Sequence, residues 1–349
     1  MSIIDNISDV IKNSKPAFPI DTTSLSASFV SFNLKEASKD IAENGRTIGI
    51  VTGFYIPQAN PPASETDGPP GALVLAKGFI DMGMKVIIIT DSYHETVIKL
   101  GLEFLGLEKD IPIILFPFDG RFDDPARHSN EKKFSKNSID WASNFFTNDI
   151  GRKVSHLIAI ERVGPNHTIE SIMKHNDFSN SIINKFESIV PKDKRNKCLN
   201  FRLKDITPFT AKTHLLFEEI IDKKLPITTL GIGDQGNELG MGKINWENFL
   251  KADNNRRALS ACRISTDYLI PCGISNWGGY ALLAAVSQFL DKSHIFKKIS
   301  FKEEKNILEY IVNKGPAVDG ITGKQSLSVD GLAFEKYFEP IKELQKLFS

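Results

Sequence analysis

Six short apolar runs punctuate the chain, at Ile48–Val51, Val86–Ile89, Ile113–Phe116, Leu157–Ile160, Ile227–Ile232 and Tyr268–Pro271. Several are rich in Ile and Val without polar alternation, the pattern of strands covered on both faces. Between them lie stretches of helical periodicity such as Gly71–Met82, His94–Gly106 and Pro208–Lys223. Strands that alternate with helices need crossover connections. The pattern therefore predicts an α/β fold with a doubly wound, mostly parallel sheet of about six strands and helices on both faces. Asn33 and Glu36 have the spacing of a capping box for a helix ahead of the first strand. Residues 1–45 read as an N-terminal helical segment and 46–349 as one α/β domain. A Gly-rich stretch, 315–331, precedes an apolar C-terminal helix, Leu332–Phe348.

Composition narrows the classes of function. The 349 residues carry 43 basic and 43 acidic side chains, so no net charge draws nucleic acid or an anionic membrane. Basic pairs such as Lys132–Lys133 and Arg256–Arg257 read as solvated helix faces. The three cysteines, Cys198, Cys262 and Cys272, form no C-x-x-C pair and read as buried structural thiols in a reducing compartment. No His or Cys spacing suggests zinc. Met1–Lys15 lacks the features of a secretory or transit signal, and no apolar run reaches the roughly 20 residues that span a bilayer. These features predict a cytoplasmic protein acting on a small molecule; the apolar C-terminal helix permits a homo-oligomer.

The position of the polar segments is more informative. Each apolar run is followed at once by polar or Gly-rich residues: Thr52-Gly53-Phe54 and then Glu65-Thr66-Asp67-Gly68; Thr90-Asp91; Pro117-Phe118-Asp119-Gly120; Glu161-Arg162-Val163-Gly164-Pro165; the loop Gly233–Gly242; and Gly273-Ile274-Ser275-Asn276. In an open parallel sheet these places share one edge, where ligands bind. Gly231, Gly233 and Gly236 spell a dinucleotide fingerprint, but no helix opens at the third glycine. The Walker pattern also fails, because Asn237 stands where its first glycine belongs. Glycines 233, 236 and 240, interleaved with Asp234, Asn237 and Glu238, suit close backbone approach to a small polar ligand. Asp67-Gly68 ahead of one apolar helix, and Ser275-Asn276 ahead of another, read either as N-caps or as anion sites.

Taken together these segments resemble the catalytic domain of the D-glutamate cyclase family. The residues that carry the likeness are Ser64–Pro69, Ile160–Pro165, Gly231–Gly242, Ser275–Ala281, Val318–Gly323 and Val329–Gly331, so it runs from about residue 45 to the C-terminus. Two departures stand out. The family pattern favours Gly where this chain has Gln235, and Asn-Met-Arg-Gly where it has Asn200-Phe201-Arg202-Leu203, which predicts a changed backbone or a narrower pocket at Leu203.

The resemblance implies cyclisation of D-glutamate to 5-oxo-D-proline and water. Such chemistry needs a base for the ammonium, an acid for the departing oxygen, and donors for the oxyanion. Glu161, Asp234 and Glu238 are the candidate acid and base. Arg162 or Arg202 would hold the α-carboxylate, with Asp67, Gly68, Asn200, Asn237, Ser275 and Asn276 contacting substrate. The N–H groups of Gly233, Gly236 and Gly240, with Asn237 and Asn276, would face the oxyanion. No cofactor is required, although a divalent cation on Asp67, Asp91 or Asp234 is compatible with the residue types. Two alternatives stand beside this reading: a nucleotide- or phosphate-dependent enzyme that uses the Gly-rich loop, and a non-catalytic amino-acid sensor.

Overall fold

A computed structural model describes residues 2–18, 28–118, 138–174, 179–250 and 253–348. The expected Asp119-Gly120 and Lys132–Lys133 segments lie outside the described residues. Six strands form one sheet: β1 (Thr47–Thr52), β2 (Lys85–Thr90), β3 (Ile113–Leu115), β4 (His156–Ile160), β5 (Thr228–Gly233) and β6 (Tyr268–Pro271). All pairings are parallel, and the spatial order is β3-β2-β1-β4-β5-β6. The chain therefore winds outward from β1 to β3, returns to the middle, and winds outward again through β4 to β6. This is the doubly wound fold, with its switch point between β1 and β4.

The unbroken apolar strands have the two-sided burial their composition predicts. Ile50 pairs with Ile88 on one side and Ile158 on the other, and two residues further along Ile160, Ile232 and Ile270 pair in a second row on the same face. These residues face a core built with helices Ile3–Asn13, Phe29–Asn44, Pro69–Asp81 and Ser275–Phe289. The alternate residues Val51, Ile89, Leu157 and Leu269 face a second core, with Phe145 and Phe217 from helices Ser138–Phe145 and His214–Asp222. Helix Ser275–Phe289 is buried from Ser275 to Ser287, as its nearly continuous apolar sequence demands. Among the described residues no helix is long and apolar enough to cross a membrane.

Three local expectations change. Asn33 is no N-cap: its helix begins at Phe29, and Asn33 lies inside it, donating to the Phe29 carbonyl and accepting from the Leu269 N–H. Its amide thus ties the N-terminal segment to β6. The helix expected from Pro208 begins only at His214, because Thr207–Phe209 forms a separate 3₁₀ turn and the chain at Ala211–Thr213 bends to meet Arg162. The expected helix Leu332–Phe348 opens instead as a strand, Leu332–Ala333, paired with Ser328–Val329. Asp330 and Gly331 have φ of 49° and 77°, the left-handed pair that a two-residue hairpin turn requires.

Candidate active site

Strand β4 ends at Ile160, and Glu161 then takes a left-handed φ of 44°, a costly conformation for a residue with a Cβ. The turn sends Glu161 and Arg162 to different places. Glu161 enters the crevice beside β1, where the Ser275 hydroxyl donates to it. Gly68 lies against it: a Cβ there would sit 2.7 Å from that of Glu161, and φ at Gly68 is 94°. Glycine is needed at this position on both counts.

Asp67 and Asn276 each cap the other's helix. The Asp67 carboxylate accepts from the backbone N–H groups of Ser275 (2.8 Å) and Asn276 (2.8 Å) at the start of helix Ser275–Phe289. The Asn276 side-chain oxygen accepts from the N–H groups of Gly68 (2.9 Å) and Gly71 (2.7 Å) at the start of helix Pro69–Asp81. Two helix N-termini thus converge on the crevice, and their positive ends favour negative charge there. Asn276 is therefore engaged by backbone on its oxygen, and its nitrogen donates to the Thr66 carbonyl.

The acids then gather. One carboxylate oxygen each from Asp67, Glu161 and Asp234 lies within 4.8 Å of the others. Glu65 lies beside Glu161, and Asp330 beside Asp234, close enough for each to affect the other's ionisation. The Asp330 turn arrives because Asp319 accepts from the Gly331 N–H (2.8 Å) and the Ser328 hydroxyl (2.7 Å). Gly320 lets Glu65 approach, since a Cβ at that position would overlap its carboxylate. No Lys or Arg is ion-paired with these acids among the described residues.

Burial without a counter-charge has a predictable result. Glu161 is pushed well above the usual carboxylate range, first by burial and then by Glu238, Asp67, Glu65 and Asp330. Asp234 moves the same way through burial, Glu161 and Asp330. Glu65 and Asp67 are also raised by burial and by Asp330, although three backbone N–H groups oppose the shift at Asp67. Asp330 rises to about 6, chiefly through burial, while its hydrogen bond with Asp234 holds it down. The crevice is a set of carboxyl groups that burial and mutual repulsion push toward the protonated form.

Arg162, expected to clamp a substrate carboxylate, is instead held by the protein. It is fully buried, and four of its five N–H groups donate: to Thr213 Oγ1 (3.1 Å), the Gly53 carbonyl (3.0 Å), Asp91 (2.6 Å) and the Ala211 carbonyl (2.9 Å). Burial would raise Asp91, but Arg162 and His94 hold it below its usual value. Asp91, a candidate cation ligand in the sequence, belongs to this ion pair rather than to the acid cluster.

The remaining candidates line the approaches. Both oxygens of Glu238 accept from its own loop, at the N–H groups of Gln235 (2.9 Å) and Gly236 (2.8 Å), so the N–H of Gly236 is committed there. The N–H of Gly240 donates to the Ile264 carbonyl and that face of the loop is closed; Gly233 packs against Glu238. Asn237 donates to the Leu199 carbonyl and keeps a buried oxygen without a partner; Asn200 accepts from the N–H groups of Arg202 and Lys204 and keeps a buried nitrogen free. Gln235 donates to Asp234. Leu203 has φ of 61°, the conformation that the glycine of the family pattern would adopt without strain. Arg202 is exposed and donates to the Ile321 carbonyl.

Glu65, Asp319 and Asp330 were not expected in the site. The signal for the last two was the acid–Gly pairs Asp319-Gly320 and Asp330-Gly331, within the C-terminal segments that carry the family likeness. The three cysteines are buried and unpaired, as expected, and burial pushes Cys198 up to about 12, which leaves it unreactive. A separate hollow of about 540 Å³ lies at the amino ends of the strands, lined by Asp40, Arg46, Arg152 and His156 among others. Its Arg152 is paired with Asp149, and Asp40 with Asn44 and Thr228, so it gathers no comparable set of unpaired buried groups.

The model of the D-glutamate cyclase-like, C-terminal family matches residues 19–181 and 190–345. The chain belongs to this family. The human protein named D-glutamate cyclase, mitochondrial, is 26% identical over 328 residues, covering 86% of this chain and 46% of that protein. The chain thus spans about half the length of its curated relative. The family match takes in every acid of the cluster, from Glu65 to Asp330.

Proposed function

We propose that this chain converts D-glutamate to 5-oxo-D-proline and water at the carboxyl cluster. The observation that carries the reading is the convergence of Asp67, Glu161 and Asp234, buried and without a basic partner. The family match and the human relative's name supply the substrate.

The chemistry suits such a cluster. Ring closure forms one C–N bond and breaks one C–O bond. Two protons must leave the substrate nitrogen, and both end on the departing oxygen as water. A pair of carboxyl groups that share protons at neutral pH serves both ends of that transfer. Glu161, held by Ser275, is assigned as the base that takes the ammonium proton. Asp234, raised by burial and Glu161 and lying beside Asp330, is assigned as the acid that delivers to the leaving oxygen. The unpartnered oxygens of Asn237 and Asp234 supply acceptors for the remaining amine hydrogens. Glu238 shapes the loop that carries Asp234, and Arg162 fixes the turn that aims Glu161.

A divalent cation is a second element of the reading. D-glutamate brings two carboxylates to a pocket of acids, and buried charges of one sign need compensation. Asp67, Glu161 and Asp234 offer an all-oxygen donor set of the kind hard cations take. When bound, such an ion would supply positive charge for the substrate carboxylates. Three buried unpaired thiols support a reducing compartment such as the cytoplasm.

Chiral chromatography of the purified chain incubated with D- or L-glutamate, with and without EDTA, tests the reading. It requires 5-oxo-D-proline from the D-isomer; loss with EDTA and recovery with Mg²⁺ or Mn²⁺ would establish the cation. No product from D-glutamate under any of these conditions sinks the proposal.

A further inference from the structure

The proposed reaction needs a cation for the one substrate carboxylate that does not react, and Arg162 is engaged elsewhere. The short helix Arg256–Ser260 packs behind the Gly-rich loop: the Cys262 N–H donates to the Gly236 carbonyl, and the Trp246 indole N–H to that of Ala258. From this helix Arg257 reaches the loop and donates from one terminal nitrogen to the Gln235 carbonyl at 3.3 Å, one residue from Asp234. Its Nε is buried and has no acceptor. Among the described residues Arg257 takes part in no ion pair, whereas its neighbour Arg256 is paired with Asp253 at 3.1 Å.

A half-buried guanidinium with no ion-pair partner and a buried Nε–H without an acceptor is a group that a carboxylate completes. In folded glutamate the amine and the γ-carboxyl meet at the forming bond and must face the acids, while the α-carboxylate projects away from it. We infer that Arg257, beside the Gln235 carbonyl, forms the subsite that receives the α-carboxylate of an amino-dicarboxylic acid. This inference rests on the proposed substrate but not on turnover. It also gives Gln235 a place: its side chain holds Asp234 while its carbonyl steadies Arg257.

Calorimetric binding to the full chain tests it, with D-glutamate and with 4-aminobutanoate, which keeps the amine and the reacting carboxyl but lacks the α-carboxylate. Wild-type protein should prefer D-glutamate, and Arg257→Ala should weaken its binding roughly 10- to 100-fold, the factor for losing charge-assisted hydrogen bonds. Affinity for 4-aminobutanoate should stay within about twofold on the same scale, and Arg257→Lys should fall between. An unchanged D-glutamate affinity in Arg257→Ala, equal losses for both ligands, or a wild-type protein that does not discriminate between them would each overturn the assignment. If the difference holds while no 5-oxo-D-proline forms, the cyclase reading falls and the subsite stands.

Discussion

Glu161 and Arg162 share a peptide bond, and each is buried in a polar assembly of its own. On the Arg162 side, a guanidinium and the Asp91 carboxylate meet at 2.6 Å, carbonyls and a hydroxyl take further N–H groups, and Asp91 is held low. On the Glu161 side, five acids from four loops converge without a basic side chain, and all five are raised. Both sit at the carboxyl edge of the same sheet. The difference is completeness: the first is neutralised within the protein, while the second is left for something that arrives with charge or protons. A buried ion pair is mostly structure. A buried, uncompensated acid cluster is where a site is to be sought.

The comparison can be broken most directly at Glu161. Glu161→Gln keeps shape and removes the proton-exchanging group, so kcat for cyclisation should fall by about 10²–10⁴. Because the carboxyl is destabilised by its surroundings, the melting temperature should hold or rise. Near-wild-type turnover in this variant would move the base elsewhere. Asp91→Ala should do the reverse, leaving Arg162 buried without its carboxylate at a cost of about 3–5 kcal/mol in stability. Denaturant titration measures this, and a loss below about 1 kcal/mol would show that the pair is not the anchor described here.

The smallest effect is the pH dependence of stability. Carboxyls raised by burial hold protons in the folded chain that the unfolded chain has released. Their contribution is therefore complete below about pH 4, where the unfolded groups are protonated too. It is lost as pH rises through the folded values, about 6 for Asp330 and about 7 for Glu304, a buried acid that accepts from Tyr280. Asp91 acts in the opposite sense, and its contribution disappears only as pH falls below about 4. Scanning calorimetry between about pH 5 and 8 should show a falling melting temperature, less steep in Asp330→Asn. A melting temperature that climbs over that range would contradict the uncompensated cluster.

Much of this architecture is written locally. The six apolar runs became the six strands within a residue or two, because unalternating Ile and Val have no stable place except between two layers. The edge that carries the site followed from topology, since every crossover returns the chain to the same side of the sheet. Family membership also lay in the sequence, spread over segments whose glycines permit close approach, as Gly68 does beside Glu161.

What the sequence could not assign was partnership. Asp67 precedes one helix but caps another that begins 208 residues later, and Asn276 returns the arrangement. Arg162 looks like a substrate clamp until Asp91 and the Ala211 carbonyl are found around it. Glu65 and Asp330 join one cluster of acids only when a hairpin turn is carried back over the crevice by Asp319. Hydrophobic pattern is short-range information, because burial period and helix or strand geometry repeat within a few residues. The state of a charge depends on which opposite charges, dipoles and waters lie within a few ångströms, and that neighbourhood was assembled here only when four distant loops met at one edge of the sheet.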